Sequence, residues 1–102
     1  LSKEHEGRHR AVEFEWDPEK AASNRRKHEV TFQQAATVFG DRLATTFPDP
    51  DHSVREHRSV TIGMSEDGRL LVVAHAARKD SVRIISARPV TRHERRFYEE
   101  AQ

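Results

Sequence analysis

Val82-Arg83-Ile84-Ile85-Ser86-Ala87-Arg88-Pro89 is short, β-branched and apolar, with an arginine towards each end. Ile84 and Ile85 are adjacent, and side chains alternate along a strand, so the two should point to opposite faces. Both faces then need cover, which predicts a strand in the middle of a sheet. Strict alternation puts Arg83 with Ile85 and Ala87 on one face, and Arg88 with Val82, Ile84 and Ser86 on the other. An arginine among buried positions is costly unless its guanidinium meets an anion or reaches water. Pro89 has no N–H to donate and should close the strand. A helix is expected at once, because Thr91-x-x-Glu94 is a capping box followed by Arg95, Arg96, Phe97 and Tyr98. A strand feeding an arginine-rich helix suggests a surface that meets phosphate. A structural arginine pair beside a solvated helix face is the plainer reading of the same residues.

The strand's neighbours lie just upstream. From His57 to Met64 the chain alternates, with Arg58, Val60, Ile62 and Met64 on one side and His57, Ser59 and Thr61 on the other. Ser65-Glu66-Asp67-Gly68 carries the Asp-Gly hairpin signal, and Arg69 to Ala77 returns as an apolar strand. Arg78-Lys79-Asp80-Ser81 turns again, so three strands form an antiparallel meander. Leu43 to Phe47 reads as a further strand, and Pro48 to Ser53 as a loop.

Further upstream the pattern becomes helical. Thr31-Phe32-Gln33-Gln34 is a second capping box, Phe32, Ala35, Ala36 and Phe39 form a core stripe, and Gly40 is the expected helix end. Asp17-Pro18-Glu19 starts another helix, running to Lys27 or His28, with Asp as N-cap and Pro in the first turn. Asp17, Ala21, Asn24 and His28 share one face, where a polar residue usually makes a hydrogen-bonded packing contact. Glu29-Val30 joins the two helices in a turn that often needs positive φ, for which glycine would suit better than Glu29. Before it, Val12, Phe14 and Trp16 alternate with Glu13 and Glu15 in a first strand over Ala11–Trp16. Leu1 to Arg10 is polar and aperiodic and is expected to be a flexible arm. His5 and His9 are spaced for a metal on a helix, but no third ligand of matching spacing follows. The whole reads β-α-α-β-β-β-β-α. It predicts an α+β fold, a small antiparallel sheet with two N-terminal helices and one C-terminal helix packed on it, as one domain over residues 11–102.

Composition narrows the function. Charged residues make up 34% of the 102, yet the formal net charge is +1, so a nucleic-acid surface must come from local segregation of charge. With no cysteine there is neither a disulfide framework nor a thiolate metal site, and the cytoplasm is the default compartment. The longest apolar run, Leu70 to Ala74, is far too short to span a membrane, and no signal peptide is visible. Gly-rich dinucleotide, P-loop, CxxC and HExxH patterns are missing, which leaves nucleotide hydrolysis, zinc chemistry and dinucleotide binding without support. No cofactor is called for.

Taken together, Phe14-Glu15-Trp16-Asp17-Pro18-Glu19-Lys20-Ala21, Asn24, Lys27-His28, Val30, Phe32, Ala35, Phe39-Gly40-Asp41, Glu56-His57-Arg58, Ile62-Gly63 and Arg83-Ile84-Ile85-Ser86-Ala87-Arg88 resemble the BrnT family of toxins. Arg92, Glu94, Arg95, Arg96 and Tyr98 continue the match, which covers Phe14 to Glu99. The family usually reads Lys-His-Gly-Val where this chain has Lys27-His28-Glu29-Val30. The resemblance implies a RelE-like endoribonuclease of a type II toxin–antitoxin pair that cuts RNA and arrests translation. It also implies a BrnA-like antitoxin with a DNA-binding domain, through which alone the pair reaches operator DNA.

Metal-free RNA cleavage needs a base for the 2′-hydroxyl, a cation for the phosphorane and an acid for the leaving 5′-oxygen. Beside that resemblance, Arg58, Arg83 and Arg88 are the candidates for phosphate and transition state. Glu56 or His28 is the acid or base candidate, and Lys20 and Lys27 add positive field. His57 and His75 stand in reserve, and Trp16 and Tyr98 would suit as anchors for a partner, although Trp16 reads first as a core residue. Pairing of Arg58 and Arg83 with Glu56 or Asp80 is the structural alternative for those two residues. A non-catalytic RNA- or protein-binding module of the same fold is the alternative for the whole chain.

Overall fold

Each α-helix begins on a side chain that satisfies the amides a helix start leaves unpaired. Asp17 Oδ1 accepts from the Glu19 N–H at 2.8 Å and starts α1 (Pro18–His28), with Pro18 in the first turn. Thr31 and Gln34 form a complete capping box at the head of α2 (Phe32–Thr37), and Thr91 and Glu94 form another at the head of α3 (Arg92–Glu100). Glu29 ends α1 in the left-handed region, φ 57° and ψ 37°, the conformation that turn was expected to need. Gly40 does not terminate α2 as anticipated. The helix tightens into a 3-10 turn, Val38–Gly40, and Gly68 of the Asp-Gly hairpin has positive φ, at 85°.

The computed structural model describes residues 12–52 and 56–101, so the arm expected over residues 1–10, with His5 and His9, lies outside the described residues. The strands are β1 (Glu13–Glu15), β2 (Thr45–Pro48), β3 (Arg58–Met64), β4 (Leu70–Ala77) and β5 (Ser81–Pro89), so the β-α-α-β-β-β-β-α order holds. They form one sheet in the order β1-β5-β4-β3-β2. The meander and β2 are antiparallel, whereas β1 runs parallel to β5, so the sheet is mixed rather than antiparallel throughout. The middle of the sheet is β4, not β5. On its outer side β5 has a strand neighbour along Ser81–Arg83, where β1 accompanies it.

Helices cover the two faces unequally. On one face α1 and α2 enclose the larger core, where Val30, Phe32, Ala35, Val38, Leu71, Val73, Ile84 and Ala87 are buried and Phe14, Trp16 and Phe39 pack against them. Trp16 packs edge-on against Phe32 at 5.9 Å, in keeping with its reading as a core residue. On the other face Tyr98 of α3 seals a smaller core over Ile62, Leu70 and Val72. Its hydroxyl donates to Asp41 Oδ2 at 2.7 Å, and the same oxygen accepts from the Met64 N–H at 2.7 Å. Burial first, and then the bond to Asp41, push the Tyr98 hydroxyl up to about 12. Packed in this core and bonded to Asp41, the expected anchor Tyr98 serves the fold.

Candidate active site

One irregularity decides which side chains share the partly uncovered face. Ala74 pairs with Ser86 while the next residue of β4, His75, pairs with Ile84. Ile85 is therefore an extra residue in β5, a β-bulge. The bulge brings Ile84 and Ala87 onto the same face, where both are buried in the larger core. It equally brings Arg83, Ser86 and Arg88 together on the other. The opposite-face placement of Arg83 and Arg88 expected from strict alternation is thus corrected. An unbroken strand would drive Ala87 or Ile84 out of the core.

Rows of register partners now cross the sheet. Glu15 of β1 faces Arg83 of β5, Arg83 faces Ala76 of β4, and Ala76 faces Arg58 of β3. Arg83 and Arg58 flank Ala76, itself fully buried. Their Cα atoms are two strand spacings apart, about 10 Å, within which two long side chains can meet one phosphate. Glu56 stands beside the row, its Oε2 3.6 Å from Arg58 Nε. Glu15 Oε2 lies 3.9 Å from Arg83 Nη1 and 3.3 Å from Arg78 Nε. The carboxylate expected near Arg83 was Asp80; the ion pair formed is with Glu15.

Arg88 sits four register rows further along, opposite Val72, and is differently engaged. Its Nη1 and Nη2 donate to Glu94 Oε1 and Oε2, each at 2.8 Å. Glu94 Oε1 also accepts the Thr91 N–H at 2.8 Å, so one carboxylate caps α3 and ties it to β5. The hydrogen bonds from Arg88 are the main reason the Glu94 carboxyl falls to about 2 against burial that opposes it. Arg88 was a candidate for RNA phosphate; in this structure its fork is occupied by Glu94.

Lys20, Lys27 and His28 come together at the edge of the sheet. With Ser23, Asn24, Ile85 and Ser86 they line a cleft of about 180 Å³ between α1 and β5. Asn24 builds that junction. Its Nδ2 donates to the Ala87 carbonyl at 2.8 Å and the Val30 carbonyl at 3.0 Å, and its Oδ1 accepts the Ala87 N–H at 3.0 Å. The carboxamide thereby pairs with the β5 edge past the end of β1. Ser86 joins the cleft to the arginine face, since it follows Arg83 across the bulge. The two reserve histidines do not join them. His57 is exposed, and His75 is buried on the helix-covered face, where its Nε2 and the Thr61 hydroxyl are 2.8 Å apart. Burial holds the His75 imidazole below its ordinary pKa. Among the described residues, no three His, Asp or Glu side chains converge on a metal position.

Sequence reasoning missed Glu15, Arg78 and the bulge. Alternation with Phe14 and Trp16 did place Glu15 away from the core, but not which strand it would lie against. The bulge left a signal in the spacing of Val82, Ile84 and Ala87, where the apolar period slips from two to three.

The molecule is thus a small mixed sheet with two helices on one face and a third helix on the other. The crystal structure of the Brucella abortus ribonuclease toxin, BrnT, superposes with a TM-score of 0.63 over 80% of this chain and 100% of that one, at 20% sequence identity. Residues 16–94 match the family described as "Ribonuclease toxin, BrnT, of type II toxin-antitoxin system", and the chain belongs to that family. A search of curated proteins finds no match. Membership implies ribonuclease activity, an RNA substrate and a cognate antitoxin. No described helix is long and apolar enough to cross a membrane.

Proposed function

We propose that this toxin is an endoribonuclease that cuts RNA without a metal ion, through the row that carries Arg83 and Arg58, and so arrests translation in the cytoplasm. The observation that supports this reading is the shared open face of Arg83 and Arg58 beside Glu56. Two guanidiniums aimed at one phosphodiester supply the charge stabilisation that a phosphorane needs, with bidentate geometry that lysine cannot match. Glu56 serves proton transfer next to Arg58. His28, Lys20 and Lys27 hold the neighbouring nucleotide in the α1–β5 cleft, with His28 the second candidate for proton transfer. Arg88 supports the site by fixing β5 to α3 and meets phosphate only if Glu94 releases it.

The antitoxin is BrnA-like on this reading. It covers the arginine row while the toxin is silent, and its own DNA-binding domain carries the pair to operator DNA. The test is the chemistry of the cut ends. Purified, antitoxin-free toxin incubated with labelled RNA in EDTA should give 2′,3′-cyclic phosphate and 5′-hydroxyl ends, the products of 2′-hydroxyl attack. Cleavage that EDTA abolishes, or 3′-hydroxyl and 5′-phosphate ends, would overturn the metal-free reading. RNA binding with no cleavage by the folded protein would favour a non-catalytic module of the same fold.

A further inference from the structure

We infer that Glu15 is a catalytic residue, the proton acceptor for the 2′-hydroxyl on the Arg83 side of the arginine row. This inference rests on the cleavage reading above and names a group that lies just before the family match, which begins at residue 16.

The placement follows from topology. β1 is three residues long, and parallel pairing sets Glu15 directly opposite Arg83, on the face away from the Phe14 core. Its carboxylate approaches both Arg83 and Arg78, at 3.9 and 3.3 Å. It is not locked in place, since the Glu15 side chain is 46% exposed and the contacts are single oxygens rather than a bidentate fork. Compare Arg88 and Glu94, where both nitrogens meet both oxygens at 2.8 Å. The Glu94 carboxylate is committed to structure, while Glu15 keeps an oxygen free for a ligand.

Glu15 thus flanks the row beside Arg83, and a second carboxylate, Glu56, stands beside Arg58. Displacement at phosphorus requires the attacking and leaving oxygens on opposite sides of the phosphate. A phosphodiester held by Arg83 and Arg58 takes its attacking 2′-hydroxyl from the flank of the row that β1 closes, where Glu15 stands beside Arg83. Carboxylates are ionised at neutral pH and accept protons. In the step, Glu15 takes the proton of the 2′-hydroxyl, the O2′–P bond forms and the P–O5′ bond breaks. The 5′-oxygen departs on the opposite side with a proton from water, and Glu15 returns its proton to solvent.

The experiment compares wild type, Glu15→Gln, Glu15→Asp and Arg83→Ala on a labelled RNA, each checked for folding by thermal melt. Glu15→Gln should lower kcat by about 100-fold or more, leave KM near the wild-type value and remove the acidic limb of the pH–rate profile. Glu15→Asp should recover part of the rate and keep the limb. Wild-type kcat in Glu15→Gln, with Arg83→Ala inactive, would reduce Glu15 to a surface ion pair while the cleavage reading stands. A loss carried by KM with the pH profile unchanged would also overturn the catalytic role, since that is the mark of a group that only positions Arg83. No cleavage by folded wild type would sink the parent reading and this one with it.

Discussion

Glu29 is held at φ 57°, where its Cβ crowds the backbone and a glycine would not. Its side chain is exposed, while its carbonyl accepts from Arg69 Nη1 at 2.6 Å, a contact glycine would keep. Glu29→Gly should therefore stabilise the fold by about 0.5–1 kcal/mol, read as a higher denaturant midpoint at unchanged slope. A lower midpoint would show that the left-handed turn is not the native one. Glu94 sets a pH dependence at the same scale. Its pKa falls from 4.5 to about 2 on folding, so it contributes stability above the unfolded value that is lost as pH drops through the folded one. With Arg88 40% exposed, solvent screening reduces the pair to about 1 kcal/mol. Glu94→Gln keeps a capping oxygen and loses the charge. It should cost that amount at pH 7 and progressively less as pH falls towards and through 2, measured by denaturation across that range. A cost independent of pH would assign the effect to the cap instead.

Among the elements, the junction of α1 with β5 depends on a single carboxamide. Asn24 is 6% exposed and makes three hydrogen bonds to main chain at Val30 and Ala87. Asn24→Ala would strand buried polar groups at each, costing about 2–4 kcal/mol in total, measured by chemical denaturation. A cost below about 1 kcal/mol would mean that water replaces the amide and the edge is open. What the sequence makes legible is local. The three helix starts at Asp17, Thr31 and Thr91, the Asp-Gly hairpin and the positive φ at Glu29 are each written within a few residues. The bulge, the parallel pairing of β1 and the Asn24 bridge across 63 positions are set by tertiary contacts. Period-two alternation cannot contain an extra residue, so it assigned Arg83 and Arg88 to opposite faces. It could not show β1 returning to lie beside a strand nearly seventy positions later.

For the molecule as a whole, the two faces divide the work. The larger core under α1 and α2 holds the fold together, and α3 covers only part of the opposite face. Arg83 shares a face and a row with Arg58 because the Ile85 bulge lets Ile84 and Ala87 stay buried while Arg83 turns outward. Family and fold could be read from ordered motifs; the grouping of the site could not. The measurement that bears most directly on this account is cleavage of a labelled RNA by antitoxin-free wild type beside Arg83→Ala, with both shown to fold by the same thermal transition. Loss of one guanidinium from the row should cost about 100-fold or more in rate with the fold intact. Full cleavage by a folded Arg83→Ala protein would contradict the account and move the chemistry away from the arginine row.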